Sequence, residues 1–275
     1  NKTITGNIGS STSLDLGILN IGSDTVPGNY SKTTIKGDVF ADSTVLNNNN
    51  NDNSDGITNS SELILASGKN ITSTITTADA NMGILTLAGG TQTVTGQVGT
   101  NANKLAEVNA GNGTSTFANN VYATYLDVEG TGTVNLDGDF TGTAIRYNAD
   151  GKVELATGKN INSAIENNTG TDSQGTLTLS GSSTVTGQVG ASGASLKAIN
   201  AGATGSTSTF NSDVYVTNLN VTGSGTVILN SDLTGNVVTT GNQGILTTIG
   251  AIQTITGDIG SSTSLDLNTL NIGSN

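Results

Sequence analysis

The 275-residue chain has no cysteine, no histidine and no tryptophan, one proline (Pro27), and only five Tyr and four Phe. Each absence removes something. Without His or Cys the usual nucleophile–base pairs of hydrolytic enzymes cannot be assembled, however plentiful the Ser and Thr. Without Cys there is no disulfide framework, and no free thiol to be a liability in an oxidising, extracellular setting. Cations are scarce as well: nine Lys and Arg stand against 21 Asp and Glu, for a net charge of −12, and no Lys or Arg follows Lys197. Binding to nucleic acid depends on cationic neutralisation of phosphates, so a nucleic-acid partner is excluded, as is an electrostatic grip on anionic lipid. No apolar run approaches the ~20 residues of a membrane-spanning helix, so this segment is not expected to insert in a membrane. The chain also opens at Asn1 with no signal peptide, which reads as a piece of something longer.

Low charge and few aromatics would suit a disordered chain, but 33% of the residues are apolar, mostly β-formers at strand spacing. Val, Ile and Thr prefer strands because branching at Cβ suits a pleated surface. The 38 glycines punctuate these words.

The words recur. The heptapeptide T-[VI]-T-G-[QND]-[VI]-G stands at 3–9, 93–99, 184–190 and 254–260, at intervals of 90, 91 and 70 residues. "SGKNITSTI" (67–75) returns as "TGKNINSAI" (157–165), and "STFANNVYATYLDVEGTGTVNLDGDFTG" (115–142) as "STFNSDVYVTNLNVTGSGTVILNSDLTG" (208–235). A shorter period lies inside. Apolar words begin at Leu63, Leu85, Leu105, Leu126, Val153, Leu177, Leu196, Leu219 and Ile245, each followed by a second β-like word, from Ile71 and Val94 through to Ile255. The steps between successive starts run from 19 to 27 residues.

Two or more short strands in each step, separated by Gly, Asn and Ser turns, describe one coil of a solenoid. The expected fold is therefore all-β, a parallel β-helix (β-solenoid) of roughly 20–25 residues per coil. Tandem β-sandwiches of about 90 residues are the rival. The 70-residue interval favours the solenoid, because it lacks one coil, "VELATGKNINSAI", and a coil contacts only its neighbours. A single continuous solenoid over 1–275 is expected, with long repeats at about 1–62, 63–152, 153–243 and 244–275 and an Asn-rich loop inserted at 47–61. Leu177 and Leu179 would face the interior by alternation, Gly187 and Gly190 would form corners, and stacked Asn and Thr would form ladders along the axis. Residues 5–23 and 256–274 match at 16 of 19 positions, as if cut from a longer array.

Few residues invite chemistry. Asp137 and Asp139 in "NLDGDF" are two apart, which on a strand puts both on one face; the second copy has Asn230 in place of Asp137, and no cation or His stands nearby. A solvated turn explains the pair better than catalysis. "NDNSDGITNSSE" (51–62), read as a twelve-residue calcium loop, offers Asn51, Asn53, Asp55, Asn59 and Glu62, with Gly56 at the sharp turn. Asn instead of Asp at the first position and Thr58 at the eighth depart from such loops, so calcium stands as a weak metal candidate and no other cofactor is expected. "KGD" at Lys36–Asp38 is a tripeptide carried by some integrin ligands, and three-residue words arise by chance. Lys104 and Lys197 read as edge or face charges, and lone Lys on an exposed strand discourages sideways pairing.

"GTLTLSG", "TVTGQVG", "LKAINAG" and "STFNSDVYVTNLNV" resemble the passenger regions of rickettsial surface-cell-antigen autotransporters of the outer membrane protein A and B type. That resemblance implies a β-helical passenger on the bacterial cell surface, anchored in the outer membrane through a part not present here. It implies adhesion to host cells through a surface receptor, and no catalytic residue is carried over from it. The alternative is a structural block of a surface layer or filament, whose partners are neighbouring copies of the same repeat array. A third reading is a carbohydrate-active β-helix using acidic residues.

Overall fold

Alternation governs the strands. Thr176–Leu179 runs half-buried, buried, half-buried, buried, and Leu177 and Leu179 are the inward residues, as a period of two requires. The computed structural model describes residues 1–12, 15–22, 31–47, 60–250, 253–260 and 266–273, in two compact units, 1–143 and 144–275.

Each unit is a parallel β-solenoid with two sheets. Along the chain, a strand does not pair with the next but with the next but one, because consecutive strands lie in opposite sheets. In the first unit one sheet orders Lys2–Ile4, Lys32–Ile35, Glu62–Leu65, Met82–Leu87, Leu105–Ala110 and Val121–Val128. Its other sheet orders Leu16–Ile21, Val39–Leu46, Ile71–Thr77, Gly90–Val94, Gly113–Phe117 and Thr133–Leu136. The second unit repeats the scheme. Lys152–Leu155, Thr176–Leu179, Leu196–Ala201, Val214–Val221, Leu233–Thr239 and Ile255–Thr256 form one sheet. Ile161–Asn167, Ser183–Val185, Thr207–Phe210, Thr226–Leu229, Ile245–Thr248 and Thr269–Ile272 form the other. The expected class, an all-β parallel solenoid, is what the chain adopts, and the coil length agrees: Ile84 lies opposite Glu62 and Glu107 opposite Ile84.

The interior is filled by stacked aliphatics. Leu63, Leu85, Val108 and Leu126 are in register and fully buried, and Val94, Phe117 and Leu136 form the facing ladder. Each such side chain is worth about 1.5–3 kcal/mol of transfer free energy. The corners are close-packed. Gly190 has φ +65°, and a Cβ there would lie 2.3 Å from the Tyr215 carbonyl oxygen; at Gly187 it would lie 2.5 Å from the Ala164 nitrogen. Both are corners, one through its torsion and one through close approach.

The expected polar ladders are present. Asn220 donates its amide N–H to Asn200 Oδ1 (2.8 Å), and Asn200 donates to Thr178 Oγ1 (3.0 Å). A second kind of ladder runs through the turns. Asn7 Oδ1 accepts the Asp38 backbone N–H (2.9 Å), Asp38 Oδ1 that of Asn70 (2.8 Å), and Asn70 Oδ1 that of Thr93 (2.8 Å). Each side-chain oxygen thus satisfies a backbone amide of the next coil.

The repeat is laid down differently from its sequence period. Counted along the described strands, the heptapeptide copies at 3–9 and 93–99 are a step of seven strands apart, with six between them, and so are those at 184–190 and 254–260. Seven is odd, so within each unit the two copies fall on opposite sheets. The 91-residue interval holds nine strands and the 70-residue interval seven, a difference of two strands or one coil. One expectation is corrected here. Ile245 does not continue the ladder of Leu219; it pairs with Thr226, because the strand Leu233–Thr239 takes the place beside Val214–Val221.

Candidate functional site

Four of the calcium candidates, Asn51, Asn53, Asp55 and Asn59, lie outside the described residues, as does Gly56. Glu62 is described, and it opens a strand rather than closing a loop. Both of its carboxylate oxygens have partners: Oε2 pairs with Lys32 Nζ at 2.7 Å, and Oε1 accepts from Thr86 Oγ1 at 2.9 Å. Among the described residues no three His, Cys, Asp or Glu gather as a metal-holding group.

Asp137 and Asp139 do not share a strand face. They lie in the turn between Thr133–Leu136 and Phe140–Tyr147, where the Asp137 N–H bonds the Phe117 carbonyl and the Asp139 N–H bonds Asn120 Oδ1 (both 2.9 Å). The strand ends at Leu136, so alternation no longer applies. Asp38 of the KGD tripeptide is a member of the turn ladder just described. Of the edge and face readings of Lys197, the face one holds: it sits on an internal strand and its exposed Nζ pairs with Asp150 Oδ2 at 2.7 Å.

What the repeats conceal is a pair of loops folded over a sheet face. Asn81 (φ +61°) and Ser173 (φ +59°) are the only non-glycine residues with positive φ among the described residues. They are equivalent in the two long repeats, preceding "MGILTL" and "QGTLTL". Each reaches past one coil to a threonine: Thr124 Oγ1 donates to Asn81 Oδ1 (2.8 Å), and the Ser173 and Thr217 hydroxyls bond at 2.5 Å. Left-handed torsions cost a non-glycine residue free energy and persist where surrounding structure imposes them. In each case a second loop braces the first. In the first unit Asn103 donates its amide to the Ala78 carbonyl (3.0 Å). In the second, Asn167 Nδ2 donates to the Ser195 carbonyl (2.9 Å), while Asp172 Oδ1 accepts both the N–H and Oγ–H of Ser195 (2.6 Å each). The Ser195 hydroxyl and amide hold the Asp172 carboxyl below its ordinary range.

In the second unit these loops wall a groove of about 480 Å³. Asp172, Ser173 and Ser195 stand at its rim, and Tyr215, Thr217 and Asn236 line it. A smaller cavity of about 350 Å³ lies against Ala191 and Ala194 on the same loop, lined by Glu166, Asn168 and Gln188. The loops carry no word that marks them beforehand. Asn81 is a residue type that tolerates left-handed torsion, but Ser173 is not, and the second copy is longer by two residues.

The chain is 31% identical over 276 aligned positions, covering 96% of its length, to outer membrane protein A of Rickettsia rickettsii. It spans about a tenth of that relative's length (10%). No family model matches the chain and no solved structure matches it. The resemblance carried by the repeated words is borne out at the level of sequence over nearly the whole chain.

Proposed function

From its similarity to a rickettsial outer membrane protein, we propose that the chain is an extracellular passenger segment of a bacterial surface autotransporter, acting as stalk and adhesive surface toward host cells. The observation that carries this reading is the combination of that likeness with a solenoid whose outward positions carry stacked Asn and Thr. Thr178, Asn200 and Asn220 are tied to one another along the axis, which makes a stiff, polar row. Loops held over that face, such as 168–175 and 190–195, supply the variation that recognition uses. The role is presentation, not catalysis.

The test is binding of the labelled, monodisperse 275-residue chain to mammalian cells, with and without EDTA. Saturable binding in both conditions supports adhesion without calcium. Binding lost in EDTA assigns adhesion to a calcium-dependent loop, with Asn51, Asn53, Asp55, Asn59 and Glu62 as the first residues to replace. Absence of binding, with ordered sheets or fibres formed by the purified chain, replaces adhesion with lattice building through neighbouring copies.

A further inference from the structure

Three local features meet at the groove of the second unit. Ser173 holds a left-handed torsion at its rim. The pairing of Val214–Val221 with Leu233–Thr239 slips register between Tyr215 and Asn218, in the groove floor. Opposite that slip stands Gly235, φ +148°, where a Cβ would lie 1.9 Å from the Val216 carbonyl oxygen. A like slip between Phe40 and Ser43 and a like torsion at Asn81 occur in the first unit, but there they do not share one groove; register slips serve to re-aim side chains.

The side chains so arranged have a distinct chemistry. Tyr215 is half-exposed, and its hydroxyl has no hydrogen-bond partner among the described residues. Thr234 and Thr256 offer exposed hydroxyls, and Asn236 accepts the Asp258 N–H through Oδ1 (3.0 Å). Asp172 contributes an exposed carboxylate, and no Lys or Arg lines the groove. An aromatic ring beside a carboxylate, an amide and several hydroxyls matches a pyranose, with its apolar C–H face and its vicinal hydroxyls. A volume of about 480 Å³ lies in the range of small-ligand sites.

We propose that this groove binds a neutral saccharide, with Tyr215 stacking on the sugar and Asp172 accepting from its hydroxyls. It rests on the adhesive reading and names the ligand class on the host surface. Sialylated and sulfated glycans are disfavoured because the groove holds a carboxylate and no cation. The first unit carries the equivalent Tyr122 and Thr124 but has Ala80 where Asp172 stands, so one site per chain follows.

The test is a printed array of neutral, sialylated and sulfated glycans, followed by calorimetric titration of the strongest neutral hit into the 275-residue chain. Expected is saturation at one site per chain, with affinity at least ~tenfold lower for Asp172→Asn and for Tyr215→Ala, and unchanged for Tyr122→Ala. Asp172→Asn keeps the acceptor for Ser195, so it stays informative if Tyr215→Ala disturbs the fold. No saturable neutral glycan, or binding indifferent to both groove variants, overturns the proposal. A chain that binds cells but no neutral glycan overturns the saccharide site and leaves adhesion standing. One that binds the glycan but no cell supports the site and overturns adhesion.

Discussion

Tyr147 donates its phenolic hydrogen to the Thr176 carbonyl oxygen over 2.7 Å, from a side chain that is wholly buried. Beside that bond Gly175, with φ +81°, lies so close to the ring that a Cβ would stand 2.5 Å from Tyr147 Cγ. One coil is thereby seated on the next by a polar contact inside a mainly apolar core.

Burial pushes the Tyr147 phenol far above its ordinary value. A group raised in the folded state stabilises fully below its unfolded pKa, about 10, and loses that contribution as pH rises toward the folded value. Tyr147 should therefore remain un-ionised in spectrophotometric titration until the chain unfolds in alkali. Tyr147→Phe should cost about 1 kcal/mol near neutral pH in urea denaturation and flatten the alkaline decline. Gly175→Ala should cost more, about 3 kcal/mol, because it adds both a clash and a left-handed torsion.

The turn ladder separates acceptor geometry from charge. Asp38→Ala removes the acceptor for the Asn70 amide and should cost about 1 kcal/mol, whereas Asp38→Asn keeps an oxygen there and should be nearly neutral. If the KGD tripeptide were a recognition motif, Asp38→Asn would abolish cell binding. Binding of that variant at wild-type level is the expected result.

Acid sensitivity should depend on Lys197. Its hydrogen bond, with help from the Gly175 N–H, holds the Asp150 carboxyl below its usual value. A carboxyl lowered in the folded state stabilises above its unfolded pKa, about 3.9, and that contribution is lost as pH falls through the lower folded value. The Lys197 side chain is 56% exposed, so screening limits the pair to no more than ~1 kcal/mol. Lys197→Met should flatten the stability decline below pH ~4, read from urea midpoints at successive pH values.

Whole coils should be removable and single strands should not. Deleting 84–106 puts Glu107 where Ile84 stood and Gly113 follows in place of Gly90, with every later strand still on its own sheet. That variant should keep a cooperative urea transition with a slope reduced in proportion to length. Deleting 79–89 removes only the strand Met82–Leu87 and sends each following strand to the opposite sheet. Loss of cooperative unfolding is expected there, followed by far-ultraviolet circular dichroism, because every later strand would turn its apolar residues to the wrong side.

Inward residues were legible because burial imposes a period of two on any strand: Leu177 and Leu179 follow from the alternation of their word alone. Leu233–Thr239 was not, since "LTGNVVT" carries glycine and Asn among its β-formers, and only pairing with Val214–Val221 makes it a strand. Gln92 escaped for a related reason. It is fully buried, with Nε2 on the Ala66 and Lys69 carbonyls (3.0 and 3.2 Å) and Oε1 on the Gly89 N–H (2.8 Å), partners supplied by its own turn and the coil before it. The groove residues Asp172, Ser173 and Tyr215 gave no signal because each is unremarkable in its own word.

What the sequence by itself determined is the repeating unit: two-period apolar words, glycine corners and the absence of the residues that common enzymes need. These are local properties, carried by the residue types and their spacing. Which sheet a given word joins was decided only by the tertiary structure, because it depends on the count of strands accumulated before it, and one unrecognised strand reverses the assignment. The groove is a second product of that level. It exists where a loop after Ile161–Asn167, a loop before Leu196–Ala201 and a slipped strand pair meet, segments that only the winding of the chain brings together.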